Sequence, residues 1–234
     1  MNYSIIIPIY KEEKNIVNLI RRIERELKNK IRYELIFVDD DSEDDSKKFF
    51  KQNKNRNTKF YIRKKKPRDL SKSVAFGFEK SRYNNLIVMD GDLQHNPKDI
   101  LKLVKVYQNT KCDIVIGSRE LVSYKKANLN PIRFICSKFL NFFFNIIFKN
   151  KILDPMSGFF IVKKEIYKSV KNKLLLLGYK ILIDIILSNN KKIIIKEVKI
   201  NFNVRDKGFS KMRLKILFQL FIFMIIKFFK YENK

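Results

Sequence analysis

Histidine occurs once, at His95, and cysteine twice, at Cys112 and Cys136. The two thiols stand in different apolar contexts without metal-ligand spacing, and no Cys/His cluster suggests zinc. A reduced, cytoplasmic chain is the expectation. No Gly-x-Gly-x-x-Gly opens either early helix, and no Gly-x-x-x-x-Gly-Lys-Ser/Thr is present. Both absences argue against dinucleotide dehydrogenases and P-loop enzymes. Internal repeats and long linkers are missing, and so are helix-turn-helix and aromatic RNP signatures. The amino terminus lacks the pattern of a signal peptide, because the apolar run Ser4–Tyr10 is short and Lys11, Glu12 and Glu13 follow it. Acidic residues are the scarcer charge: 24 Asp+Glu against 51 Lys+Arg leave a formal net charge of +27. Such a balance favours anionic partners, among them nucleic acid, acidic lipid headgroups and phosphorylated substrates. A solvated lysine-rich surface accounts for it equally well, so charge decides nothing alone.

What the chain has is alternation. Its 234 residues, 45% hydrophobic, suffice for one domain with a small appendage. Short apolar runs at Ser4–Pro8, Tyr33–Val38, Lys59–Arg63, Leu86–Met89 and Asp113–Ile116 read as strands. Helical stretches at Glu12–Lys28, Asp45–Gln52, Ser71–Ser81 and Pro97–Tyr107 fall between them, the first with Ile16, Leu19, Ile20, Ile23 and Leu27 on one face. This order predicts an α/β fold with a mostly parallel sheet and helices on both sides. In such sheets ligands bind beyond the carboxyl ends of the strands, which is where two acidic clusters fall. The last third differs. Arg133–Lys149 is apolar with a polar stripe at Arg133, Ser137, Asn141 and Asn145. Ile181–Leu187 reads as a helix, Ile193–Phe202 as strand-like and Leu214–Phe229 as an apolar helix broken by Lys215, Gln219 and Lys227.

Asp90-Gly91-Asp92 follows the strand Leu86–Met89. Two carboxylates one residue apart at a strand end can converge on a hard cation, Mg²⁺ or Mn²⁺, that also takes phosphate oxygens. Such a cation would act as a Lewis acid on a diphosphate leaving group. Asp39-Asp40-Asp41-Ser42 ends another strand. Clustered carboxylates repel, so Asp39 is assigned to the nucleotide and the later acids to a helix N-terminus. His95 reads as a structural or supporting histidine rather than a general base.

Several segments then match a known family in order. They are Ser-Ile-Ile-Ile-Pro-Ile-Tyr from Ser4, Glu-Leu-Ile-Phe-Val-Asp-Asp from Glu34, Leu-Ser-Lys-Ser-Val from Leu70 and Met-Asp-Gly-Asp-Leu-Gln-His from Met89. Asp-Ile-Val-Ile-Gly-Ser-Arg from Asp113, Asp-Pro-Met-Ser-Gly-Phe-Phe from Asp154, Gly-Tyr-Lys-Ile-Leu from Gly178 and the run Arg205–Lys211 complete the set. Over roughly residues 3–215 the chain resembles family 2 glycosyltransferases, and within them polyprenol-phosphate (dolichol-phosphate) mannose synthases and their glucosyl relatives. The resemblance implies a nucleotide-binding, Rossmann-like GT-A fold and assigns roles. Pro8, Tyr10, Glu12 and Asp39 would hold the nucleoside, and Asp90, Asp92 and Gln94 the metal and donor diphosphate. Arg119 would reach donor and acceptor, and Arg133 and Ser137 would grip the acceptor phosphate. Arg205 and Lys211 would clamp the diphosphate as a loop closes. Three departures concern loop geometry. Asp41 replaces the usual glycine of Asp-Asp-Gly-Ser, Asn96 replaces a proline, and Asp69 stands where a glycine is common; if that glycine is left-handed, Asp69 must tolerate the same backbone, which Asp does at modest cost.

The implied reaction is inverting transfer of a hexose from a nucleotide diphosphate to a polyprenyl phosphate. GDP-mannose is favoured over UDP-glucose because the Asp154 and Gly178 motifs look closer to the mannose enzymes. As a helix, Leu214–Phe229 would span roughly 24 Å, short of the ~30 Å hydrocarbon core. The expected organisation is therefore a catalytic domain over 1–210 and an amphipathic interface tail over 211–234, with Lys211, Lys215, Gln219 and Lys227 near one side. That makes the chain peripheral, on the cytoplasmic face of a membrane, with a membrane-protein partner left open. Two alternatives remain. A saccharide-acceptor enzyme would want a carboxylate base, for which Asp184 is the one candidate. A nucleic-acid-binding protein is disfavoured by the acidic clusters.

Overall fold

The computed structural model describes residues 1–52, 56–119, 152–178 and 180–201, together with Phe223, Ile226 and Lys227. Arg133, Ser137, Arg205, Lys211, the segment 133–149 and most of 214–229 lie outside the described residues.

Seven strands among the described residues form one sheet. They are β1 (Asn2–Ile9), β2 (Arg32–Asp39), β3 (Thr58–Ile62), β4 (Asn85–Val88), β5 (Ile114–Ser118), β6 (Phe160–Lys163) and β7 (Ile195–Lys199). The spatial order is β3-β2-β1-β4-β6-β5-β7. All pairings are parallel except those of β6 with β4 and β5. Six α-helices are described: α1 (Glu13–Leu27), α2 (Ser46–Gln52), α3 (Leu70–Lys80), α4 (Asp99–Asn109), α5 (Lys164–Val170) and α6 (Ile181–Ser188).

The strands alternate side chains between two apolar layers. Tyr3, Ile5, Ile7, Phe37 and Ile87 pack with α1 and α4 on one face, through Ile16, Leu19, Ile23, Leu103 and Tyr107. Ile6, Leu86, Val88, Ile114 and Phe160 pack with α3, α5 and α6 on the other. Both faces are covered, which is why the parallel strands read as continuous apolar runs. The expected mostly parallel sheet with helices on both faces is what forms. The sequence reading did not anticipate β6, α5 or the antiparallel insertion.

The carboxyl terminus brings a correction. Lys227 was expected on a stripe facing headgroups, but it is 4% exposed and ion-paired with Asp184 of α6. Its Nζ also donates to Ser188 Oγ. Phe223 is fully buried, with Lys180 Nζ 5.3 Å and Lys227 Nζ 5.9 Å from its ring centroid. Burial pushes the Lys180 ammonium down to about 8. Asp184 is occupied by structure rather than poised as a base: its Oδ2 accepts from the backbone N–H of Leu175 and Leu176 at 2.7 and 2.9 Å.

Candidate active site

The chain leaves β1 for β2 and β3 on one side and returns to place β4 on the other, so the crevice opens at the carboxyl ends of β1 and β4. Pro8–Tyr10, Asp39–Asp40 and Asp90–Asp92 all fall at that edge, because β1 registers Pro8 with Val38 and Ile9 with Asp39, and Ile6 with Val88. Gly91 tightens the arrangement. A Cβ there would lie 2.6 Å from Ile9 Cγ2, so only glycine lets the Asp90–Asp92 turn sit against the end of β1.

The β2 side of the crevice is an acidic floor with a basic rim. Asp39 is 2% exposed and accepts from Ser42 N at 3.2 Å and from the Ser42 hydroxyl. Burial pushes its carboxyl up, with the Asp44 and Asp40 charges adding and the Ser42 hydrogen bonds opposing. Asp40 pairs with Arg63 and accepts from Asp69 N at 2.6 Å. Asp44 takes the capping role at α2, accepting from Ser46 N at 3.2 Å. Glu12 accepts from Asn15 Nδ2 at 2.6 Å. Above them, Arg68 lies 5.0 Å from the Tyr10 ring centroid, donates to the Tyr10 hydroxyl at 3.1 Å and reaches Glu43 Oε1 at 3.2 Å. Lys66 Nζ donates to Asp41 Oδ2 at 2.7 Å. Arg63, Lys66 and Arg68 went unnoticed in the sequence; the signal was the basic run between a strand and a helix.

Backbone strain sits at Asp41, not at Asp69. Asp69 has φ −162°, an extended conformation open to any residue, and its Oδ1 caps α3 by accepting from Ser71 N and Lys72 N. Its Oδ2 accepts from Gly178 N at 2.6 Å, tying the Gly178 turn to the start of α3. Asp41 has φ 59° and takes the left-handed conformation that the usual glycine would.

On the β4 side, Asp92 is 6% exposed and its Oδ1 accepts from Gln94 N at 3.1 Å. Leu93 between them has φ 65°, a strained value for leucine of the kind that clusters at functional sites. Asp90 is 33% exposed, and its Oδ2 lies 3.2 Å from Nε2 of His95, which is 1% exposed and 5.0 Å from the Phe159 ring. Asp90 fills the space that a side chain at position 158 would need: a Cβ on Gly158 would meet Oδ2 at 2.7 Å. This donor set suits a hard divalent cation. No group of three or more His, Cys, Asp or Glu among the described residues could hold a metal alone. The two carboxylates would therefore share the ion with substrate phosphates and water, as Mg²⁺ sites commonly do.

Arg119, one residue past β5, donates through Nε and Nη2 to Asp154 Oδ2 and Oδ1 at 2.8 and 2.9 Å. Asp154 is itself held by Glu197, which accepts from its backbone N–H at 3.1 Å. Asp154 stood in a motif without an assigned role, and Glu197 drew no attention.

Carboxylates gathered at the strand ends of this mixed sheet are the arrangement of a GT-A fold. Residues 4–171 match Glycosyl transferase family 2, and the chain belongs to that family. It is 34% identical to a dolichol-phosphate mannosyltransferase of Pyrococcus furiosus, with all of this chain covered. It spans 65% of that relative's length. The dolichol-phosphate mannosyltransferase of Saccharomyces cerevisiae is 28% identical over 94% of this chain and 84% of its own. Among solved structures, glucosyl-3-phosphoglycerate synthase of Mycobacterium tuberculosis, crystallised with phosphoglyceric acid, superposes with a TM-score of 0.75 at 14% identity. That match covers 98% of this chain and 79% of the synthase.

Proposed function

We propose that this glycosyltransferase moves a hexose, mannose from GDP-mannose by preference, onto a polyprenyl phosphate with inversion at the anomeric carbon. The carrying observation is that Pro8–Tyr10, Asp39 and the Asp90–Asp92 pair meet at the β1/β4 crevice of a chain similar throughout to dolichol-phosphate mannosyltransferases.

A polyprenyl phosphate is already an anionic nucleophile, with a second pKa near ~6 by analogy with other phosphate monoesters. No general base is needed, which agrees with His95 being buried against Asp90 and Asp184 being committed to Lys227. Oxygen–carbon bond formation to the anomeric centre accompanies cleavage of the bond to the diphosphate, which leaves with the electron pair. Tyr10, Glu12, Asp39 and Arg68 hold and orient the nucleoside. Asp90, Asp92 and Gln94 would hold a Mg²⁺ or Mn²⁺ ion, which when bound would supply positive charge to the leaving diphosphate. Arg205 and Lys211 add cationic contacts to the diphosphate. Arg119, Arg133 and Ser137 hold the acceptor phosphate, the arginine forks suiting its geometry. Residues 1–210 form the catalytic domain. The basic surface of the chain brings it to the cytoplasmic face of the membrane, and in the tail 211–234 Phe223 and Lys227 are buried against the domain. No helix among the described residues is long and apolar enough to cross a membrane.

Incubation with radiolabelled GDP-mannose or UDP-glucose, polyprenyl phosphate and Mg²⁺ or Mn²⁺ tests this reading. Label entering the organic phase from GDP-mannose is expected. Transfer from UDP-glucose alone would replace the donor, and no labelled lipid from either would overturn the acceptor.

A further inference from the structure

The guanidinium of Arg119 is pinned along one edge. Nε and Nη2 donate to Asp154 at 2.8 and 2.9 Å, and the Arg119 backbone N–H donates to the same carboxylate at 3.2 Å. Asp154 is 1% exposed, whereas the Arg119 side chain is 23% exposed. A guanidinium has five N–H donors in a rigid plane. With the Nε/Nη2 edge committed inward, the plane of the guanidinium is set by Asp154.

Asp154 is fixed in turn from another strand. Glu197 on β7, opposite Ile116 of β5, accepts from Leu153 N at 2.9 Å through Oε2 and from Asp154 N at 3.1 Å through Oε1. Both oxygens of one carboxylate thus serve two consecutive backbone N–H groups of the turn that carries Asp154. Burial pushes the Glu197 carboxyl up, and the nearby Asp154 charge adds to that despite the hydrogen bonds from Leu153, Asp154 and Ser118. Holding this turn with a carboxylate brings a second negative charge close to Asp154, a poor choice if anchoring the loop were the only need.

We infer that Glu197 is a positioning residue: by fixing the 153–154 turn it fixes Asp154, and through Asp154 the plane in which Arg119 presents its fork to the acceptor phosphate. This rests on the proposed reading of Arg119 as a phosphate-binding residue. Glu197 touches no substrate; its effect is on aim.

The test is steady-state kinetics of the full chain carrying Glu197→Gln or Glu197→Ala, varying polyprenyl phosphate and sugar nucleotide separately. Glutamine keeps one acceptor for the two N–H groups and alanine none. The KM for polyprenyl phosphate is expected to rise about tenfold in the glutamine variant and further in alanine, as small misplacements in active sites do. The KM for sugar nucleotide and the thermal midpoint of the glutamine variant should stay near wild type. In an Arg119→Lys background, Glu197→Gln should add nothing to the acceptor KM, because no planar fork is left to aim. An unchanged acceptor KM, equal rises for both substrates, or a glutamine variant that fails to fold would overturn the inference. Should alanine alone fail to fold, the glutamine variant decides. Wild-type protein that ignores polyprenyl phosphate would instead remove the functional reading, and the inference with it.

Discussion

At position 158 a methyl group has nowhere to go. A Cβ would lie 2.7 Å from Asp90 Oδ2 and 2.9 Å from Oδ1, yet the Asp90 side chain is 33% exposed and can swing aside. Gly158→Ala should therefore spare the fold and push the Asp90 carboxylate away from His95. A displacement near 1 Å costs on the order of 10²-fold in rate, so cation-dependent transfer is expected to drop by about that factor with little change in the thermal midpoint. Wild-type turnover in this variant would show that Asp90 needs no such placement. Asp39, Asp90 and Asp92 were legible as site candidates because each stands where an apolar run ends, a local signal. Gly158, Arg68 and Glu197 were not, because each matters through a contact with a residue far away in the chain, such as the 58 positions between Arg68 and Tyr10. The two aspartates that replace common glycines looked alike in sequence. Only Asp41 takes a left-handed backbone, while Asp69 uses its carboxylate as a cap.

Among the elements, the strands that could be read were those buried on both faces, whose apolar runs need no knowledge of their neighbours. β6 escaped because it begins at the last residue of the Asp154–Phe160 motif and becomes a strand only by pairing antiparallel with β4 and β5. Glu34 of β2 shows how elements are joined. It accepts from Ser4 Oγ of β1 at 2.6 Å, Lys59 Nζ of β3 at 2.8 Å and Arg82 N beyond α3 at 2.6 Å. Burial works to raise its carboxyl, but the hydrogen bonds from Lys59, Ser4 and Arg82 outweigh it and hold the group below 4.5. A depressed carboxylate stabilises the fold above its unfolded value and loses that contribution as pH falls through the folded one. Glu34→Gln should therefore be less stable than wild type at pH 7 in urea titrations, with the gap closing once pH drops below 4.5. A gap independent of pH would assign the loss to packing. The α6 contact with the chain terminus gives a second case. Lys227→Met would leave Asp184 buried without its cation, and breaking such a pair costs about 3–5 kcal/mol. Combining it with Asp184→Leu should recover part of that loss in thermal melts. Equal stability of Lys227→Met and wild type would mean that the pair contributes nothing.

For the whole molecule, the proposed membrane attachment needs a physical source. The apolar stretch 214–229 suggested insertion at the headgroup boundary, but Phe223 is fully buried and Lys227 is 4% exposed, both against the domain. Two of the side chains that would have served the lipid are thus committed to α6. Truncation after Lys211 would remove them along with the tail, so a truncated chain mixes unfolding with loss of membrane contact. The intact chain separates the two. Its net charge is +27, and basic residues near an anionic leaflet contribute about 1 kcal/mol each. Salt screens that attraction, the Debye length falling from ~10 Å at 0.1 M to ~3 Å at 1 M, whereas apolar insertion survives it. We predict that the full chain floats with vesicles rich in anionic lipid at about 0.1 M salt and leaves them for the most part at about 1 M. Neutral vesicles should retain little of it at either concentration. Flotation that persists at high salt, or that is equal on neutral vesicles, would shift the attachment to the apolar residues of 214–229 and leave the basic surface without a part in it.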